Sequence, residues 1–188
     1  DRLEYSLSNA LFVNELCDIE EIKRFYENIY VGINENKELE LCFDDANIAD
    51  DFVELTSKLS ILYRDDKTRY SMGLLSDILK WLVKNNILTI NDLYTLSENE
   101  VIEIINKSRL KDVFDKWVNL KDINISKNMH DDYYYVKSRA KIRYIDPLVN
   151  DKRISELSEN ARENITNNFN YDMDNYIYSD SIKIKMLD

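Results

Sequence analysis

Over residues 1–118 the apolar positions recur mostly with a helical period. Leu3, Leu7, Ala10 and Leu11 fall on one stripe, which predicts a helix over residues 2–13. Asp18 followed by Glu21 reads as an acidic capping box, opening a helix with Ile19, Ile22, Tyr26, Ile29 and Tyr30 inward and a break at residues 32–36. Leu39, Leu41 and Phe43 alternate with Glu40 and Cys42, the pattern of a short strand. A long helix is predicted over residues 45–64, with Ala49, Phe52, Val53, Leu59, Leu62 and Tyr63 inward, then a turn at Asp65 and Asp66. The next helix, residues 68–85, places Leu75, Ile78, Leu79 and Leu82 in the core and ends at Asn85 and Asn86. Thr89 and Asp92 start a short helical turn, Ser97 and Glu100 form a capping box for residues 98–107, and Leu110, Val113, Phe114 and Trp117 mark one more helix.

Near residue 120 the period changes from helical to two. Ile123 and Ile125 alternate with polar residues, and residues 126–133 read as a loop. Tyr134, Val136, Ala140, Ile142 and Tyr144 then occupy one face, with Lys137, Arg139, Lys141 and Arg143 on the other, which predicts one strand or two with a bend. Ile182, Ile184 and Met186 alternate with Lys183 and Lys185 in a further strand, and Leu157, Ala161 and Ile165 mark a helix over residues 155–168. The expected fold is mainly α: a bundle-like helical body over residues 1–118, and a small α+β appendage over residues 119–188 with an antiparallel sheet near the C-terminus.

Composition narrows the choice of chemistry. The chain has 188 residues, enough for one domain with a small appendage, and only 2 glycines and 1 proline, which favours long helices. With Gly32 and Gly73 alone, neither a Walker A loop nor a G-x-G-x-x-G turn can be written, so P-loop and Rossmann nucleotide binding are excluded. The net charge of −11 argues against a nucleic-acid partner, which needs a cationic surface. No apolar run is long enough to span a bilayer, so no membrane partner is expected. Cys17 and Cys42 lack metal or redox spacing and read as reduced, partly buried thiols of a cytoplasmic protein.

Three constellations carry candidate chemistry. Lys137, Arg139, Lys141 and Arg143 would form a cationic row, extended by Lys183 and Lys185, for an anion or a subunit contact. Residues 133–135, all tyrosine, read as sheet core with an exposed ring. His130 is the sole histidine, which leaves no Ser-His-Asp or Cys-His pairing. The third constellation is the opening segment, Asp1-Arg2-Leu3-Glu4-Tyr5, where helical i, i+4 spacing sends Asp1 and Tyr5 to one side.

That segment resembles the closing motif of HD-superfamily metal-dependent phosphohydrolases, in particular the deoxynucleotide triphosphohydrolase-like branch. Ser60-Ile61-Leu62-Tyr63-Arg64, Leu93 to Glu100, and Arg143 to Pro147 followed by Arg153-Ile154-Ser155 also resemble segments of that family. The resemblance implies that Asp1 is a metal ligand, that Arg2, Tyr5 and Tyr63 line the substrate, and that a divalent metal serves the full-length protein. It implies further that the remaining ligands lie upstream of Asp1, so this fragment would carry no cofactor and be inactive alone. Ser8 and Asn9 stand where that branch has Arg-Asp. The expected partners are a nucleotide or other phosphoester substrate and further copies in a homo-oligomer. The alternative is a non-catalytic helical interaction or oligomerisation module, or a regulatory domain for an anionic ligand.

Overall fold

A computed structural model of the chain describes residues 2–129 and 131–183, with Arg2 described by its backbone only. Helix α1 (Arg2–Phe12) follows the first stripe, with Leu7 and Ala10 buried and Leu3 and Leu11 packed at the edge of the core. Helix α2 (Ile19–Glu27) begins at the predicted cap. The Asp18 carboxylate accepts from the Glu20 and Glu21 amides, and Glu21 accepts from the Asp18 amide. Its buried residues are Ile22 and Phe25, while Ile19 and Tyr26 are exposed, so the inward stripe is rotated from the predicted one.

Ile29 and Tyr30 do not continue that helix. They open strand β1 (Ile29–Ile33), which pairs antiparallel with β2 (Leu39–Phe43). Three β-branched residues and a tyrosine favour extended backbone, and the ladder to β2 satisfies it. Gly32 therefore sits inside a strand rather than ending a helix; a Cβ there would stand 2.6 Å from Cys42 Sγ. The turn falls at residues 34–37, where the Asn34 side chain accepts from the Asn36 and Glu38 amides and Lys37 takes φ 63°.

Helix α3 (Ala46–Leu62), capped by Asp45, buries Ala49, Phe52, Val53 and Leu59 as predicted, but leaves Leu62 and the capping Tyr63 exposed. Helix α4 (Asp66–Lys84) buries Arg69, Tyr70, Leu74, Ile78 and Leu82, with Leu75 and Leu79 only partly covered. Helices α5 (Asp92–Thr95), α6 (Glu98–Asn106) and α7 (Lys111–Val118) follow, α6 opening on the predicted Ser97–Glu100 capping box.

Beyond residue 118 come β3 (Asn124–Ser126), β4 (Tyr133–Val136), β5 (Leu148–Val149), β6 (Lys152–Arg153), α8 (Ile154–Leu157), α9 (Glu159–Asn170) and β7 (Tyr176–Lys183). The strand predicted to run to Tyr144 ends at Val136. Side chains replace the ladder there: Arg69 donates to the Ser138 carbonyl, and Ser60 and Asn168 donate to the Arg143 carbonyl at 2.6 and 3.1 Å. Backbone groups satisfied in this way do not need a neighbouring strand. The predicted positions Ile184 to Met186 lie outside the described residues.

The described chain is mainly α, 51% helix against 16% strand. Its strands form two small sheets, in the orders β1-β2-β5-β6 and β3-β7-β4. All pairings are antiparallel except β2 with β5. No described helix is long and apolar enough to cross a membrane.

Two compact units divide the residues. The first joins the segment up to Tyr63 with Lys141–Tyr171; the second joins Arg64–Ala140 with the segment from Asp172 onward. Each draws on both sides of residue 118, so neither coincides with the expected 1–118 body or 119–188 appendage. The reason is packing. In the first unit α9 lies against α3, and Asp50 of α3 accepts from Ser158 Oγ at 2.6 Å and Asn160 Nδ2 at 2.8 Å. Its core centres on Phe52, with Phe25 and Phe43 rings 5.4 and 5.1 Å away. In the second unit β4 and β7 pack on α4, and a Cβ on Gly73 would meet Val136 Cγ2 at 2.7 Å.

Candidate functional site

Helix α1 turns Leu7 and Ala10 into the core of the first unit, which leaves Tyr5 on the opposite side at 64% exposed. Tyr63, the C-terminal cap of α3, meets it: the two rings lie 6.5 Å apart, tilted by 34°. Asn9, one turn beyond Tyr5, interacts with the Tyr63 hydroxyl. Burial raises the Tyr63 pKa, the Asn9 hydrogen bond opposes that rise, and Tyr5 adds to it. The phenol therefore stays protonated at neutral pH and acts as a hydrogen-bonding group rather than a base. Asp1 and the Arg2 side chain lie outside the described residues.

Lys137, Arg139, Lys141 and Arg143 all lie beyond the end of β4. Lys137 and Arg139 belong to the second unit, whereas Lys141 and Arg143 belong to the first. Lys137 pairs with Asp174 at 3.2 Å and stands 4.5 Å from the centre of the Tyr176 ring; Arg139 is 4.0 Å from the same carboxylate. Lys141 and Arg143 are exposed. The predicted row needed strand structure through Arg143, in one piece or in two with a bend, and β4 stops at Val136. Lys183 lies 3.5 Å over the Tyr133 ring, while Lys185 and His130 are outside the described residues. Of residues 133–135, Tyr134 is buried and donates to Asp77 at 2.8 Å, and Tyr133 and Tyr135 pair with Tyr178 and Tyr176.

One cluster was visible in sequence only as scattered residues. The Arg153 guanidinium donates to both Glu35 oxygens at 2.8 and 2.6 Å, both Glu40 oxygens at 2.5 and 3.1 Å, and the Asp146 carbonyl at 2.8 Å. Asp146 in turn accepts from the Ser155 amide and hydroxyl at 3.0 and 2.7 Å, holding the start of α8. Arg153, Glu40 and Asp146 edge an open cleft of about 730 Å³ that Leu39, Leu41, Tyr144, Ile145 and Pro147 also line. Hydrogen bonds from Arg153 hold the Glu35 and Glu40 carboxyls below the usual range, and those two partners raise the Arg153 pKa further. All of the arginine's donors are engaged, so it offers nothing to a phosphate, and both carboxylates stay ionised at neutral pH. The cluster is a clasp between two hairpins. Its signal in the sequence is the segment from Asp146 to Ser155; its partners lie more than a hundred residues earlier.

Among the described residues no group of three or more His, Cys, Asp or Glu side chains is placed to hold a metal ion. No family model, no curated protein and no solved structure matches the chain.

Proposed function

We propose that this chain is the C-terminal part of an HD-type metal-dependent phosphohydrolase acting on a nucleotide or another phosphoester. One juxtaposition supports the reading. Tyr5 and Tyr63, assigned to the substrate from separate stretches of sequence, pair at 6.5 Å with Asn9 beside them. Two aromatic rings, each carrying a hydroxyl at its edge, suit a ligand with an apolar ring and polar edges. In this reading Asp1 is the metal ligand and Arg2 contacts a phosphate, roles that rest on the sequence alone.

Among the described residues no ligand set for a metal ion is placed, and in this reading Asp1, a single carboxylate, does not by itself hold a catalytic ion against water. No hydrolytic step is therefore assigned to the isolated chain; its own part is to line the substrate. The parent protein is read as cytoplasmic and homo-oligomeric.

The test uses the longest natural reading frame that encodes this chain, assayed on a panel of nucleoside triphosphates and phosphoesters with Mg²⁺ or Mn²⁺. Turnover is expected there and not in the 188-residue chain. Asp1→Ala should abolish it, and Tyr63→Ala should raise KM by about tenfold, the loss of roughly 1.4 kcal/mol of binding. Turnover by the isolated chain, or none by the longer protein, would overturn the proposal.

A further inference from the structure

Strand β1 is the outer strand of its sheet. The Asn28 carbonyl accepts from the Asp44 amide at 3.2 Å, and the Asn34 amide donates to the Glu38 carbonyl at 2.9 Å. Inward and outward main-chain groups alternate along an antiparallel ladder, so Tyr30 and Gly32 face β2 while Ile29, Val31 and Ile33 direct their N–H and C=O groups away from it. The register pairs Val31 with Leu41 and Ile33 with Leu39. These four side chains form one apolar strip, exposed at 64%, 47%, 64% and 79% in that order. Free strand edges are ordinarily blunted by lysine, proline or a bulge. The segment Ile29-Tyr30-Val31-Gly32-Ile33 has no such residue, and its pairing with β2 is regular.

Charge selects what covers this edge. From Glu27 to Asp44 the sequence carries five carboxylates, Glu27, Glu35, Glu38, Glu40 and Asp44, against the single cation Lys37. Arg153 binds Glu35 and Glu40, which leaves Glu27, Glu38 and Asp44 to set the charge of the rim. Glu38 and Asp44 are in register with Leu39, Leu41 and Phe43 at the opposite parity, which puts them on the face opposite the apolar strip. A second copy of a chain with net charge −11 would bring two acidic rims together. We propose that the β1 edge docks an extended segment of a partner protein in which apolar residues alternate with lysine or arginine. Added as a strand, that segment bonds to Val31 and Ile33, lays its apolar side chains on the strip and turns its cations toward the carboxylates. The inference goes beyond the phosphohydrolase reading and does not rest on it.

Selection of random dodecapeptides on the immobilised 188-residue chain tests it, with the affinity of synthesised winners read by fluorescence anisotropy. Winners should alternate apolar and basic residues, lose affinity as salt rises, and fail to bind when their Lys and Arg are replaced by Glu. Val31→Pro removes an outward N–H without touching the bonds to β2, and Ile33→Lys places a charge on the strip. Each should weaken binding by about tenfold with unchanged circular dichroism, and Ile33→Lys decides alone if the proline variant misfolds. The proposal is overturned if no alternating peptide is enriched, or if binding survives Ile33→Lys. It is also overturned if light scattering shows a wild-type dimer that Ile33→Lys dissolves, which would assign the edge to a second copy.

Discussion

Arg153 and Gly73 show how much a single residue can carry. Arg153 spends its donors on Glu35, Glu40 and the Asp146 carbonyl. Both carboxyl pKa values are lower in the folded chain than in the unfolded one. The stability they add is therefore present above the unfolded carboxyl pKa, about 4.3, and is lost as pH falls through the folded values. Urea midpoints measured from pH 6 downward should drop for the native chain, and Arg153→Met should lower the midpoint at pH 6 while flattening that drop. Gly73 answers to a different constraint. Glycine in a helix interior costs about 1 kcal/mol relative to alanine, yet Val136 leaves no room for a Cβ. Gly73→Ala should destabilise the second unit by about 1–3 kcal/mol, and the double variant Gly73→Ala, Val136→Ala should recover part of that loss in a thermodynamic cycle.

Helix starts were legible in the sequence because caps are local chemistry. The Asp18–Glu21 and Ser97–Glu100 boxes each close within four residues, and both form as predicted. Ser97→Ala should cost about 1 kcal/mol, seen as an earlier thermal transition of the second unit. Strand lengths were less legible. The alternation from Tyr134 to Tyr144 continues past the point where pairing stops, because residues beyond Val136 give their carbonyls to Arg69, Ser60 and Asn168 from distant helices. Periodicity reports which side chains share a face of an extended segment, and it carries no information about whether a neighbouring strand exists. The opposite error occurs at Ile29 and Tyr30, where a helical stripe conceals the start of β1.

At the scale of the molecule the two units have separate reporters. Trp81 and Trp117 both belong to the second unit, and Cys17 and Cys42 to the first. Arg69 is 4% exposed, pairs with Asp66 and donates to the Ser138 and Met173 carbonyls. Its replacement by Met should lower the urea midpoint read by tryptophan fluorescence, by about 3 kcal/mol of stability. Truncation after Val118 removes α9 from beside α3 and both β4 and β7 from beside α4. A fragment of residues 1–118 should therefore lack a cooperative transition in circular dichroism, although it contains most of the helices. Such a transition would show that the helical body stands by itself.

The sequence by itself determined the helical majority, the caps, and the identity of Tyr5 and Tyr63 as candidates worth testing. Those features depend on residues within a few turns of one another, or on motifs that survive as strings. Only the tertiary structure decided that Tyr5 meets Tyr63, that Arg153 binds Glu35 and Glu40 from the far end of the chain, and that Val31 and Ile33 of the outer strand lie exposed beside Leu39 and Leu41 of its neighbour. Burial and long-range pairing depend on which segments share a core, and local patterning does not encode that choice.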